Sequence, residues 1–146
     1  MLESILVATD GSDAAGVAVS HAIGLAAALG ARLHIVSAYA PVSERPSRIG
    51  RVHVPSDVQV NLREEVLALL EASRRDAEAA GVDRVETFAR VGDAADAILD
   101  VAEEQGSDLI VVGNKGMTGA TRFLLGSVPN KVSHHAPCSV MIVRTG

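Results

Sequence analysis

The 146-residue chain is poor in aromatic side chains, with one Tyr, two Phe and no Trp. A core must therefore be assembled from Ala, Val, Leu and Ile, which suits helices laid closely on a sheet. A binder of single-stranded nucleic acid is disfavoured, because such proteins present aromatic faces on which bases stack. Basic charge is also scarce: 13 Lys and Arg stand against 18 Asp and Glu, a formal net charge of −5. Affinity for a polyanion is dominated by cations that neutralise phosphates, so no nucleic-acid partner is expected. With a single cysteine, Cys138, no internal disulfide can form, and a plain buried or half-buried thiol is expected there. No run reaches the roughly 20 apolar residues that span a bilayer, and the opening MLESILVATDG lacks the basic and long apolar regions of a signal peptide. A cytoplasmic location with no membrane contact is the resulting expectation.

What is present alternates. Ser4 to Thr9 (SILVAT) is an apolar run of strand length, followed by Asp10-Gly11-Ser12-Asp13, residues of turns and helix caps. Ala14 to Leu29 reads as a helix closed by Gly30, and Arg32 to Tyr39 as a second strand. Ser56 or Asp57 can start a helix to about Ala80, and Arg84 to Val91 is a third strand. Asp93 caps a helix to about Gln105, ended by Gly106. Asp108 to Val112 (DLIVV) is a strand of the kind buried on both faces. Val128 to His135 reads as a last helix, and Ser139 to Val143 as a fifth strand. Strands alternating with helices, each crossover long enough for a right-handed parallel connection, predict one α/β domain over 1–146: a five-stranded parallel sheet with helices on both faces. Ligands of such sheets bind beyond the carboxyl ends of the strands, where strand order reverses. Only Pro41 to Pro55, with three prolines and three arginines, looks like a long connection or a lid.

Chemistry concentrates after the fourth strand. Gly113-Asn114-Lys115-Gly116 is followed by nine residues and then Gly126-Ser127 at the start of a helix. Glycines let the backbone approach an anion, and a helix N-terminus offers free N–H groups, a serine hydroxyl and, with Lys115, a nearby positive charge. Two other phosphate-binding patterns fail. Gly11 to Gly16 has the glycine spacing of a P-loop but is followed by Val17 and Ala18 in place of Lys and Ser or Thr, and no GxGxxG follows the first strand. A phosphoacceptor receiver domain would need an acid at the end of strand three, where Ala89-Arg90-Val91 stands. His134 and His135 are adjacent on a helix and point apart, and no histidine shows metal-ligand spacing.

VVGNKGMTGATRFLLGSVPNKV, with ILVATDGSDAAGVAV near the start and APCSVMIVR near the end, resembles the universal stress protein family, in the subgroup with an ATP-binding motif. Gly113, Gly116, Gly126 and Ser127 match that motif's G-2x-G-9x-G-[ST] spacing. The resemblance implies a Rossmann-like sheet of order 3-2-1-4-5, a homodimer, and a site for ATP or a related adenine nucleotide such as AMP or cyclic AMP (cAMP), with Mg²⁺ accompanying ATP. It places Ala8, Thr9 and Asp10 at the nucleoside, with Asp10 near the ribose, and Ala38 facing the adenine. Gly113, Asn114, Lys115, Gly116, Gly126, Ser127 and Val128 would surround ribose and phosphates. The apolar run Val140 to Val143, with little chain left to cover it, is the expected dimer edge through 139–143. No dedicated catalytic base stands beside the loop, so binding without substantial turnover, in a sensor or reservoir of the stress response, is expected over weak ATP hydrolysis. Pro129 adds a restriction: it fits a first helical turn but has no N–H to offer a phosphate.

Overall fold

The computed structural model describes residues 2–39, 56–114 and 126–145, with side chains from residue 63 onward in the second segment, and short apolar runs and helix-capping residues divide these described residues into nine elements. The order is β1 (Ser4–Ala8), α1 (Asp13–Leu29), β2 (Arg32–Tyr39), α2 (Ser56–Ala79), β3 (Val85–Val91), α3 (Ala94–Gln105), β4 (Leu109–Gly113), α4 (Ser127–His135) and β5 (Ser139–Val143). All strand pairs are parallel and the sheet order is β3-β2-β1-β4-β5, as the alternation of elements and the family resemblance predict. The segment 41–55 lies outside the described residues.

Period-two alternation divides the sheet's side chains between two cores. Ile5 and Val7 of β1, Leu33 and Ile35 of β2, and Leu109 and Val111 of β4 pack with the alanine-rich α1 and with Leu70 and Ala77 of α2. Leu6, Val36, Ile110 and Val112 point the other way, onto Ile98, Val101 and Ala102 of α3 and Val132 of α4. The central strands are therefore apolar at nearly every position because both faces are covered. Ile5, Leu6, Val7, Ile110 and Val111 are fully buried, and each such side chain stabilises the fold by about 1.5–3 kcal/mol relative to exposure.

The ends of the helices follow local chemistry. Ser12 caps α1, its hydroxyl accepting from the Ala15 N–H at 3.2 Å. Asp93 caps α3 by accepting from the Asp96 N–H at 3.0 Å. Gly106 closes α3 at φ 62°, a left-handed conformation that costs a residue with a Cβ far more than glycine. The entry to β1 is pinned from β4: the Asp108 carboxylate accepts from the Glu3 and Ser4 N–H groups at 2.9 and 3.1 Å. Among the described residues no helix is long and apolar enough to cross a membrane.

Candidate functional site

β1 is the strand at which the order reverses, with β2 on one side and β4 on the other. Its register with β2 runs through Ala8↔Val36, and the Thr9 N–H still donates to the Val36 carbonyl at 3.0 Å. The β1–β4 register stops earlier, at Val7↔Val111. Beyond that point the two strands part, β1 turning into α1 and β4 staying paired with β5 through Gly113↔Val143. A crevice at the carboxyl edge is the geometric result.

That crevice lies on the α3 and α4 side of the sheet and is open to solvent. Its floor is Ala8, Val36, Ala38 and Val112, all on the same sheet face, and its walls are the first turns of three helices. Ser12 and Ala15 come from the start of α1, Ala94, Ala97 and Ile98 from α3, and Val128 and Pro129 from α4. Small side chains leave a slot of low polarity. Its polar side chains among the described residues are those of Thr9, Asp10 and Ser12.

Asp10 is the sole titratable residue lining the crevice among the described residues. One carboxylate oxygen, Oδ1, accepts from the Ser12 N–H at 2.9 Å and from the Ser12 hydroxyl at 2.5 Å. The Thr9 hydroxyl accepts from the Gly11 N–H at 3.2 Å, and Gly11 takes φ 83° to make the turn. A local structural role and a ligand role for Asp10 are thus compatible: Oδ1 holds the turn, and Oδ2 remains for a hydroxyl donor.

The opposite end of the crevice is the N-terminus of α4. Gly126 is the N-cap and supplies no side-chain cap, and Ser127 is the first helical residue, one position ahead of the predicted start at Val128. The regular ladder begins when the Asn130 N–H donates to the Gly126 carbonyl at 3.1 Å. The N–H groups of Ser127 and Val128 precede it and have no acceptor within the helix; Pro129 has no N–H. Such a helix end attracts an anion. Next to it, Lys131 bridges Asp96 at 2.7 Å and Asp93 at 3.6 Å, tying α4 to the cap of α3. Its hydrogen bond to the Asp96 carboxylate raises the Lys131 pKa above its ordinary value.

Of the residues singled out by sequence, Ala8, Thr9, Asp10, Ala38, Gly113 and Val128 come together around the crevice. Gly126 and Ser127 stand at its α4 end. The Asn114 side chain instead accepts from Thr145, and Lys115 and Gly116 lie outside the described residues. The α3 wall, Ala94, Ala97 and Ile98, escapes sequence reasoning, because an alanine facing a ligand reads the same as one facing a sheet. The available signal is positional: Ala94 and Ala97 open the helix that follows β3, at the carboxyl edge of the sheet. Cys138 is half-buried and does not line the crevice; burial, with the nearby Asp108 charge, pushes its thiol pKa up. No group of three His, Cys, Asp or Glu able to hold a metal occurs among the described residues.

The family model described as "Universal stress protein family" matches residues 1–144. Universal stress protein YxiE of Bacillus subtilis is 38% identical over 149 aligned residues, which cover 99% of this chain and 100% of that one. A universal stress protein crystallised in complex with cAMP superimposes with a TM-score of 0.76 at 34% identity, covering 99% of this chain and 98% of its own. The universal stress protein UspA from Lactobacillus plantarum gives a TM-score of 0.77 at 27% identity, over 98% of both chains.

Proposed function

The chain belongs to the universal stress protein family, and we propose that it binds an adenine nucleotide in the crevice between β1 and β4 and acts as a sensor or reservoir without substantial turnover. The observation that carries this reading is the coincidence of an apolar slot with a helix N-terminus at one topological switch point, in a chain 34% identical to a relative crystallised with cAMP. In this reading the apolar slot receives a flat purine. Ala8, Ala38, Val36 and Ala97 hold the adenine by dispersion and exclusion of water, and Asp10 Oδ2 accepts from a ribose hydroxyl. Gly113 lets the backbone pass close to the sugar. The Ser127 and Val128 N–H groups and the Ser127 hydroxyl donate to a phosphate, with Lys115 and Gly116 contributing from the loop that begins after Asn114.

Hydrolysis is the weaker reading. Transfer of a phosphoryl group to water needs an oriented nucleophile and a metal clamp, and Asp10, the one acid lining the crevice among the described residues, already spends Oδ1 on its own turn. Mg²⁺ in this scheme arrives with ATP rather than as a resident ion. Denaturing the purified protein and identifying the released small molecule by mass spectrometry tests the ligand class directly, followed by calorimetric titration of ATP, ADP, AMP and cAMP. Absence of any adenine compound in the extract together with no heat on titration refutes the proposal.

A further inference from the structure

Asn114 is held on four sides at the junction of β4, β5 and α4. Its N–H donates to the Val143 carbonyl at 2.9 Å, and its own carbonyl accepts from the Gly126 N–H at 3.1 Å. Its side-chain Oδ1 accepts twice from a single residue, the Thr145 N–H at 2.9 Å and the Thr145 hydroxyl at 2.8 Å. Thr145 lies two residues beyond β5 and is not part of the crevice lining. The two ends of this arrangement differ in kind. At one end is an amide whose orientation is fixed by Thr145; at the other is Gly126, an N-cap without a side chain of its own to anchor it. Where α4 begins, and therefore where the Ser127 and Val128 N–H groups point, depends on the direction of the Asn114 carbonyl.

We propose that Thr145, acting through Asn114, is a positioning residue for phosphate: the clasp on Oδ1 sets the orientation of the Asn114 peptide, which fixes the α4 N-terminus against the ligand's anionic group. The proposal rests on the nucleotide reading and adds to it a determinant outside the crevice. It separates the ligand into two parts. The base and sugar rest on the sheet floor and on α3, which the clasp does not touch, whereas the phosphate rests on the helix end that it does. Loss of the clasp should weaken only the increment of affinity that the phosphate adds.

The test is calorimetric titration of adenosine and AMP into the wild type, Thr145→Val, Thr145→Ser and Asn114→Ala. Thr145→Val removes the hydroxyl bond at a half-buried position and keeps the N–H bond, so the AMP Kd should rise about fivefold. Adenosine affinity should stay within about twofold, and Thr145→Ser should restore AMP binding. Asn114→Ala removes both bonds on Oδ1 and should raise the AMP Kd by about tenfold or more. AMP binding at wild-type strength in Thr145→Val, or equal losses for adenosine and AMP, overturns the positioning role alone. A wild-type protein that binds neither compound overturns the nucleotide reading and the clasp's role with it.

Discussion

Replacing Pro129 by Ala returns one N–H to the third residue of α4, a position whose donor has no acceptor inside the helix. Gly126, the N-cap, has no side chain that could take it, so the restored donor faces whatever occupies the crevice that Pro129 lines. In the wild type the helix end offers the N–H groups of Ser127 and Val128, enough for one phosphate group. A triphosphate asks for more donors than a monophosphate. One added hydrogen bond to a charged oxygen contributes about 1.5–3 kcal/mol, a gain of roughly 10- to 150-fold in ATP affinity. Loss of the pyrrolidine's apolar contact weakens all ligands alike and cancels in a ratio. The substitution also destabilises the fold by about 0.4–1 kcal/mol through the unfolded chain, with a further loss because Pro129 is buried, so folded variant must be confirmed first. Titrating ATP, ADP, AMP and cAMP under one set of salt and Mg²⁺ conditions should show weak discrimination among them in the wild type and a clear shift toward ATP in Pro129→Ala. An unchanged ATP-to-AMP ratio in the variant refutes the donor count. So does a wild type that already prefers ATP by more than about a hundredfold, some 2.8 kcal/mol.

Purified protein should hydrolyse ATP more slowly than about 1 per second, the low end of typical enzyme rates; faster turnover that disappears in Asp10→Asn would make Asp10 a catalytic base. β5 ends the sheet with Ile142 exposed and Val140 and Met141 half-buried, so self-association through strand 139–143 predicts a homodimer in analytical ultracentrifugation, and a monomer independent of concentration contradicts it. His34 is buried against Phe88, with ring centroids 5.6 Å apart, and burial lowers its pKa below 6.5. The unfolded chain then binds the proton more readily, so His34's neutral burial favours the fold above pH 6.5 and that advantage is lost as pH falls from there through the lowered folded value. His34→Gln should show a shallower fall of Tm between neutral and mildly acidic pH than the wild type; parallel curves would mean that His34 does not drive the loss.

How far the sequence carries depends on whether a residue's role is local. The caps at Asp93 and Gly106, and the double-sided burial of the strand before Gly113, follow from a few neighbouring residues and appear where the sequence predicts them. β1 ends at Ala8 rather than Thr9, although the Thr9 N–H still donates to the Val36 carbonyl. The family motif points to both ends of the crevice, at Asp10 and at Gly126-Ser127. Its third wall is invisible in the sequence. Ala97 faces the crevice only because α3 lies across β1 and β2 with its first turn at the carboxyl edge, a consequence of tertiary packing that no local pattern encodes. The link from Asn114 to Thr145 is hidden for the same reason, since 31 residues separate two partners that only the β4–β5 pairing brings together.

The floor of the crevice that would hold a purine is built of alanine and valine, in a chain with one tyrosine and no tryptophan. The polypeptide is therefore almost transparent in the near ultraviolet, where an adenine ring absorbs far more strongly than a single phenol. A nucleotide carried through purification would dominate the absorption spectrum, shifting its maximum to the shorter wavelength of the purine. Occupancy can be followed on the unlabelled protein, without a reporter group, by the change of that spectrum on dialysis or denaturation. The same optical silence has a practical cost: concentrations taken from absorbance will count bound ligand as protein, and an apparently concentrated sample can be a dilute one that is fully loaded.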